Sequence, residues 1–220
     1  MPALKGAFLS FGAGLLGALP NIVVFQFNPA QVTRTPSLPS PPATATRSGS
    51  TDSLQQPALP GERISFTLKI DATDQLAQSN PIAIASGILP TLAALELLMT
   101  PASSLSIDLG SLLGGGSSSG PYTHPPAKLP TVLFFWGPFR ILPVAMTSLS
   151  ITETEYDTLL NPLRAEIQVN LQVLVPTQLA GDTLANGAFK YTQGVKEVMA
   201  ALNLANAAPI GVSSALSFSM

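Results

Sequence analysis

A chain of 220 residues can bury a substantial core, as one domain or one domain with an appendage. Charged residues make up only 10% of it, against about 25% in ordinary soluble domains, so an isolated copy would expose large apolar patches of the kind that mark partner surfaces, the alternative being a surface dressed with Ser, Thr, Gln and Asn. A net charge of −2 without a basic run argues against a nucleic-acid backbone as partner, and the absence of cysteine excludes disulfides, thiolate metal sites and cysteine nucleophiles.

In chain order, Gly6–Leu19 sits behind a single lysine and superficially resembles a signal-peptide core. With four glycines and no clean small-x-small cleavage site before Pro20–Asn21, it reads instead as a β-strand with a Gly-rich turn. Ile22–Asn28 is rich in β-branched and aromatic residues and predicts a strand stopped by Pro29, resuming over Val32–Arg34. Residues 35–61 hold six prolines among Ser and Thr and predict an exposed excursion between strands. Arg63–Asp71 alternates, with Ile64, Phe66, Leu68 and Ile70 inward. Ile82–Met99 is apolar over nearly a membrane span, yet it contains Pro90 and Glu96; a loop leading into a buried helix is expected, with Ile88, Leu92, Leu95 and Met99 on one stripe. Residues 102–130 form a second polar insert containing GGGSSSG.

Thr131–Trp136 and Arg140–Thr152 read as two strands around a Gly137–Pro138 turn. Leu163–Val175 shows the cleanest pattern in the chain. Ala165, Ile167, Val169, Leu171, Val173 and Val175 point one way, and Arg164, Glu166, Gln168, Asn170 and Gln172 the other. At roughly 3.3 Å per residue such a strand spans about 43 Å, so it is expected to cross a barrel or reach beyond its own subunit. A helix near Phe189–Leu204 follows, with Tyr191, Val195, Val198, Met199 and Leu202 as its stripe.

Candidate chemistry is thin. His124 is the single histidine and lies in a Pro-rich loop, which leaves no ordinary Ser-His-Asp triad. Asp71 and Asp74 read as turn residues ending a strand rather than a metal pair, and Glu153, Glu155 and Asp157 as an acidic strand edge that discourages wrong pairing. GLLGGGSSSG lacks the lysine of a phosphate loop. No catalytic, cofactor or metal residue is assigned. Trp136 sits with Phe134, Phe135, Phe139 and Arg140, a grouping that suits either an interface anchor or core packing.

Four phrases in order carry a resemblance: NIVVFQFNPAQVTRT, GERISFTLKIDATDQL, GILPTLAALELL, and VLFFWGPFRILPVAMTSLSITETEYDTLLNPLRAEIQVNLQVL. Together, over roughly Ala7 to Leu179, they resemble the tube-adaptor family of contractile injection systems, the phage-tail-like particles that bacteria build. The resemblance implies a non-enzymatic structural subunit with the split antiparallel β-barrel of tail-tube proteins and flanking helices (α+β). The barrel domain would occupy residues 1–180 with inserts 35–61 and 102–130, and a C-terminal helix and tail residues 181–220.

Family members form a homohexameric ring at the baseplate end of the inner tube and join it to the trimeric spike hub. The implied partners are therefore other copies of the chain, the inner tube protein, the spike hub protein, and sheath or baseplate subunits. Nucleic acid, a membrane span and a cofactor are not expected, and assembly would take place in the bacterial cytoplasm. The LysM-type module of several members is not expected here, since the forty-one residues after Leu179 read as a helix and a soft tail. Phe134, Phe135, Trp136, Phe139 and Arg140 are candidate ring contacts, together with Gln168, Asn170 and Gln172 on the polar face. The alternatives are a tube subunit of a phage-like tail and a ligand-binding β-barrel; the latter calls for many short, evenly spaced strands.

Overall fold

The computed structural model describes residues 4–11, 21–38, 59–100, 130–179 and 181–207. Most of 35–61 and of 102–130, and with them His124 and the GGGSSSG run, lie outside the described residues. Seven strands form one antiparallel sheet: β1 (Ala7–Phe11), β2 (Asn21–Val24), β3 (Val32–Ser37), β4 (Gly61–Asp71), β5 (Thr131–Phe135), β6 (Ile141–Tyr156) and β7 (Pro162–Val173). Their spatial order is β2-β1-β5-β6-β7-β4-β3. Short helices α1 (Thr73–Ala77), α2 (Pro81–Ser86) and α3 (Leu89–Leu97) follow β4, and the 25-residue α4 (Thr183–Ala207) follows β7.

Alternation builds the sheet's two faces as the sequence predicts. Ile64, Phe66, Leu68 and Ile70 of β4 pair with Leu171, Val169, Ile167 and Ala165 of β7, and all eight are buried. The sheet is curled upon itself. Phe8 of β1 and Phe66 of β4 lie four strand positions apart, yet their rings stack with centroids 6.2 Å apart. Phe134 of β5 fills the space between, 5.6 Å from Phe8 and 5.4 Å from Phe66.

The sheet is not closed into a barrel. β2 and β3 are its two terminal strands, although they are neighbours in sequence. The predicted strand Ile22–Asn28 ends at Val24. Phe25 turns inward, 5.1 Å from Phe8 and 5.8 Å from Phe66, and Pro29 has no amide with which to continue a ladder. Phe25 therefore packs along the seam that hydrogen bonds would otherwise close.

Helices cover the two ends of the curled sheet. At the Ile70 end, Ile88, Leu92 and Leu95 are buried, and the Asn21 side-chain amide donates to the Ala94 carbonyl at 2.8 Å. Pro90 occupies the first turn of α3, where a missing amide is tolerated. At the other end α4 buries Ala185, Phe189 and Thr192. The Thr192 hydroxyl accepts from the Ile141 amide at 3.2 Å and donates to the Ile141 carbonyl at 2.6 Å, so one side chain satisfies both backbone groups at the start of β6. These two bonds set the helix's rotation.

The apolar stripe read from the sequence consequently does not face the core. Tyr191, Val198, Met199 and Leu202 are exposed, Val195 is half-buried, and every residue from Lys196 to Asn206 lies open to solvent. Thr192→Val keeps the shape but leaves both Ile141 groups without that partner. It is expected to cost about 1–3 kcal/mol and to speed hydrogen exchange along α4 more than along β7.

Candidate functional site

One face of the sheet is polar across four adjacent strands. Register places Arg63, Ser65, Thr67 and Lys69 of β4 opposite Gln172, Asn170, Gln168 and Glu166 of β7. On the other side of β7, Ser148, Ser150 and Thr152 of β6 oppose Asn170, Gln168 and Glu166. Thr33 and Thr35 of β3 extend the row beyond β4.

Side-chain bonds knit this face. Asn170 donates to the Ser148 hydroxyl at 2.9 Å, and Gln172 donates to the Glu62 carbonyl at 3.2 Å. Gln168 lines an open cleft of 480 Å³ beneath the 27–31 loop, beside Lys69 and Glu166. All three polar candidates of β7 thus share one face, with Arg63, Lys69 and Glu166 as its charged members.

The length of β7 does not carry it past its own subunit. It is flanked by β4 from Glu62 to Asp71 and by β6 from Val144 to Tyr156, so both of its edges are paired within the chain. Its outer face is what a neighbour can meet. Among the described residues, unpaired edges occur elsewhere: the outer sides of β2 and β3, and β6 beyond Val144, where its pairing with β5 ends. A bulge between Met146 and Ser148 bends β6 where this edge begins.

The aromatic candidates separate. Phe134 has no exposed surface and belongs to the chain's own core, so its ring cannot touch a neighbour. Sequence reasoning could not divide the FFW run, because its inward face depends on where α4 and Phe25 dock. Phe135 and Trp136 are half-buried, and Trp136 stacks on Phe134 at 5.9 Å. Phe139, at the tip of the β5–β6 turn, is 60% exposed. Arg140 is half-buried and makes no ion pair among the described residues.

A buried carboxylate beside Arg140 was not singled out in the sequence. Glu62, on the inward side of β4, is 7% exposed; one oxygen accepts from Arg34 Nε and the other lies 3.5 Å from Lys196 Nζ of α4. Burial pushes this carboxyl up, but the Arg34 hydrogen bond and charge, then Lys196, outweigh it and hold it below its ordinary 4.5. Burial and the facing Arg34 depress the Arg140 guanidinium, while Glu62 raises it.

Because the folded-state pKa of Glu62 lies below the unfolded value, its stabilisation is complete above about pH 4.5 and is lost as pH falls through the folded-state pKa. Glu62→Gln is expected to cost about 1–2 kcal/mol at pH 7, discounted because Arg34 and Lys196 are partly solvated. In urea titrations the gap to wild type should narrow toward zero with acid. A gap independent of pH would assign the loss to packing alone.

The other acidic groups have structural partners. Burial raises Asp71, but the Thr73 hydroxyl and amide and the Arg164 guanidinium, 2.7 Å away, hold it below its ordinary value. Asp157 accepts from the amides of Leu159 and Asn161 and shapes the β6–β7 turn. Glu155, at φ +56°, interrupts the alternation near the end of β6, and its carboxylate bonds Arg164 at 2.6 Å. No cluster of three or more potential metal-ligating side chains occurs among the described residues, and no described helix is long and apolar enough to cross a membrane. No protein-family model and no curated protein matches the chain.

Proposed function

We propose that this chain is a structural ring subunit of a bacterial contractile injection system, the tube adaptor that joins the inner tube to the spike hub at the baseplate. The observation that carries the reading is the polar face spread over β3, β4, β7 and β6, beside strand edges that no described strand covers along β6, β2 and β3. An unpaired edge is a template for a neighbour's strand, and closing a ring removes the edges it uses.

Copies joined in this way turn their polar faces toward a common axis. Gln168, Asn170 and Gln172 then line a wet lumen that holds no strong field for passing cargo. One rim of the ring meets the tube and the other the hub, and cooperative sheet pairing keeps the ring whole while the sheath contracts. The aromatic-filled interior supports this over a ligand-binding barrel, since the rings of Phe8, Phe25, Phe66 and Phe134 occupy the space a ligand would need. The four ordered phrases resembling tube adaptors supply the family; the tail-tube type of the fold belongs to the same proposal.

Purified full-length chain tests the oligomer. Native mass spectrometry with negative-stain imaging should give closed sixfold rings, and a protein that stays monomeric across micromolar concentrations, alone and with the tube and hub proteins, contradicts the proposal.

A further inference from the structure

An open cleft of 360 Å³ lies at the α4 end of the sheet, walled by Trp136, Phe139 and Met199 and lined by Arg34, Arg140 and Lys196. Glu62 does not line the cleft but pairs with two of its cations, one oxygen with Arg34 and the other with Lys196, so the cleft keeps a positive surplus centred on Arg140. Phe139 projects beside it, 60% exposed. Such a cleft suits a carboxylate carried next to an apolar side chain.

The chain holds that chemistry at its opposite end. The β6–β7 hairpin tip contains Glu153, Glu155 and Asp157 together with Tyr156, Leu159 and Leu160, and the two leucines are 74% and 78% exposed. Arg164 is the cation near this tip; it is shared between Glu155 and Asp71, and the Glu153 carboxylate has no ion-pair partner among the described residues. Two leucines that exposed are costly for an isolated molecule and need a cover.

From Ile141, bonded to α4, to Tyr156, β6 runs sixteen residues, about 50 Å at roughly 3.3 Å per residue. The tip therefore cannot fold back into its own cleft, and a second copy must supply the match.

We propose that the acidic hairpin tip, residues 153–160, of one copy docks into the Arg34–Arg140–Lys196 cleft of the next. The contact joins unlike surfaces, so it repeats head to tail and closes where the rotation allows. It rests on the ring reading and deepens it by naming which two surfaces meet. The Glu153 carboxylate answers Arg140, neither of which has an ion-pair partner among the described residues, and the tip leucines cover Phe139 and Met199.

Trp136 is the only tryptophan of the chain and lines the cleft, so its fluorescence is a direct reporter. A synthetic peptide of residues 152–161, which contains no tryptophan, is titrated into the full-length protein. The expected result is a saturable change in Trp136 emission that weakens at high salt and loses about tenfold in affinity with Arg140→Glu. A peptide carrying Glu153→Lys and Glu155→Lys should prefer the Arg140→Glu protein.

Arg140→Gln, which keeps the chain length but no charge, serves if the reversed charge prevents folding. No emission change, equal binding to wild type and Arg140→Gln, or equal binding of a scrambled peptide of the same composition each overturns the proposal. Rings that form while the peptide fails remove this contact and leave the ring reading standing; peptide binding without rings removes the ring reading alone.

Discussion

Replacing Phe134 with alanine is expected to cost about 3–5 kcal/mol, the largest single-residue loss in the chain. Its ring has no solvent exposure and lies within 6.3 Å, centroid to centroid, of Phe8, Phe25, Phe66 and Trp136. Those partners come from β1, the seam, β4 and the β5–β6 turn, so one truncation opens a void where both halves of the curled sheet and its unclosed seam meet. Neighbouring rings cannot readily collapse into it, because Phe8 and Phe66 are held by separate strands and Phe25 by the segment after β2.

Beyond lost burial, each ring pair contributes about 0.5–1.5 kcal/mol through its edge and face geometry. For a chain of this size the melting temperature should fall by roughly 6–20 °C. Phe135→Ala, one residue along and half-exposed on the other face, should cost about 1–2 kcal/mol. Similar losses for the two would contradict the assignment of inward and outward faces on β5.

Gly87→Ala should be nearly as severe, at about 2–5 kcal/mol, for a backbone reason. Gly87 ends α2 at φ 56° and ψ −129°, a region closed to residues with a Cβ. An added Cβ would stand 2.2 Å from the Pro162 carbonyl oxygen, which is backbone and cannot swing aside. That oxygen accepts the Ile88 amide at 3.0 Å, and the Asn161 side chain donates to the Ala85 carbonyl at 3.3 Å.

The α2–α3 junction is therefore buttressed against the hairpin tip. The substitution should loosen both, seen as faster exchange at the Ile88 amide and in β7 near Pro162. Gly181→Ala, also at positive φ but with open space around it, should cost only about 1 kcal/mol. Equal effects would mean that conformation alone, not the Pro162 contact, matters at Gly87.

What the sequence revealed and what it hid divide along the range of the interactions. β4 and β7 were legible because alternation is local: Ile64 through Ile70 and Ala165 through Val173 face inward wherever the strands sit. The stop before Pro29 was legible too, but not its position at Val24, which depends on Phe25 meeting rings from β1 and β4. The stripe of α4 misled because hydrophobic spacing cannot see Thr192, whose bonds to Ile141 decide which side of the helix docks.

Phe134 and Phe139 belong to one aromatic phrase yet end in the core and in solvent, a separation imposed by the Gly137–Pro138 turn and Phe25. The Arg34–Glu62–Lys196 group draws on three distant stretches of chain, and no spacing rule connects them. Gln168, Asn170 and Gln172 share one face as alternation predicts, while the open edge of β6 is not legible locally, because it depends on β5 beginning only at Thr131, opposite the stretch just past Val144.

Electron cryomicroscopy of extended and contracted particles from the native producer tests the adaptor role most directly. The account predicts a single sixfold ring of this chain between the inner tube and the spike hub, intact in both states, with the β3-β4-β7-β6 face toward the lumen. Density for the chain repeated along the tube, or particles lacking it altogether, would contradict it.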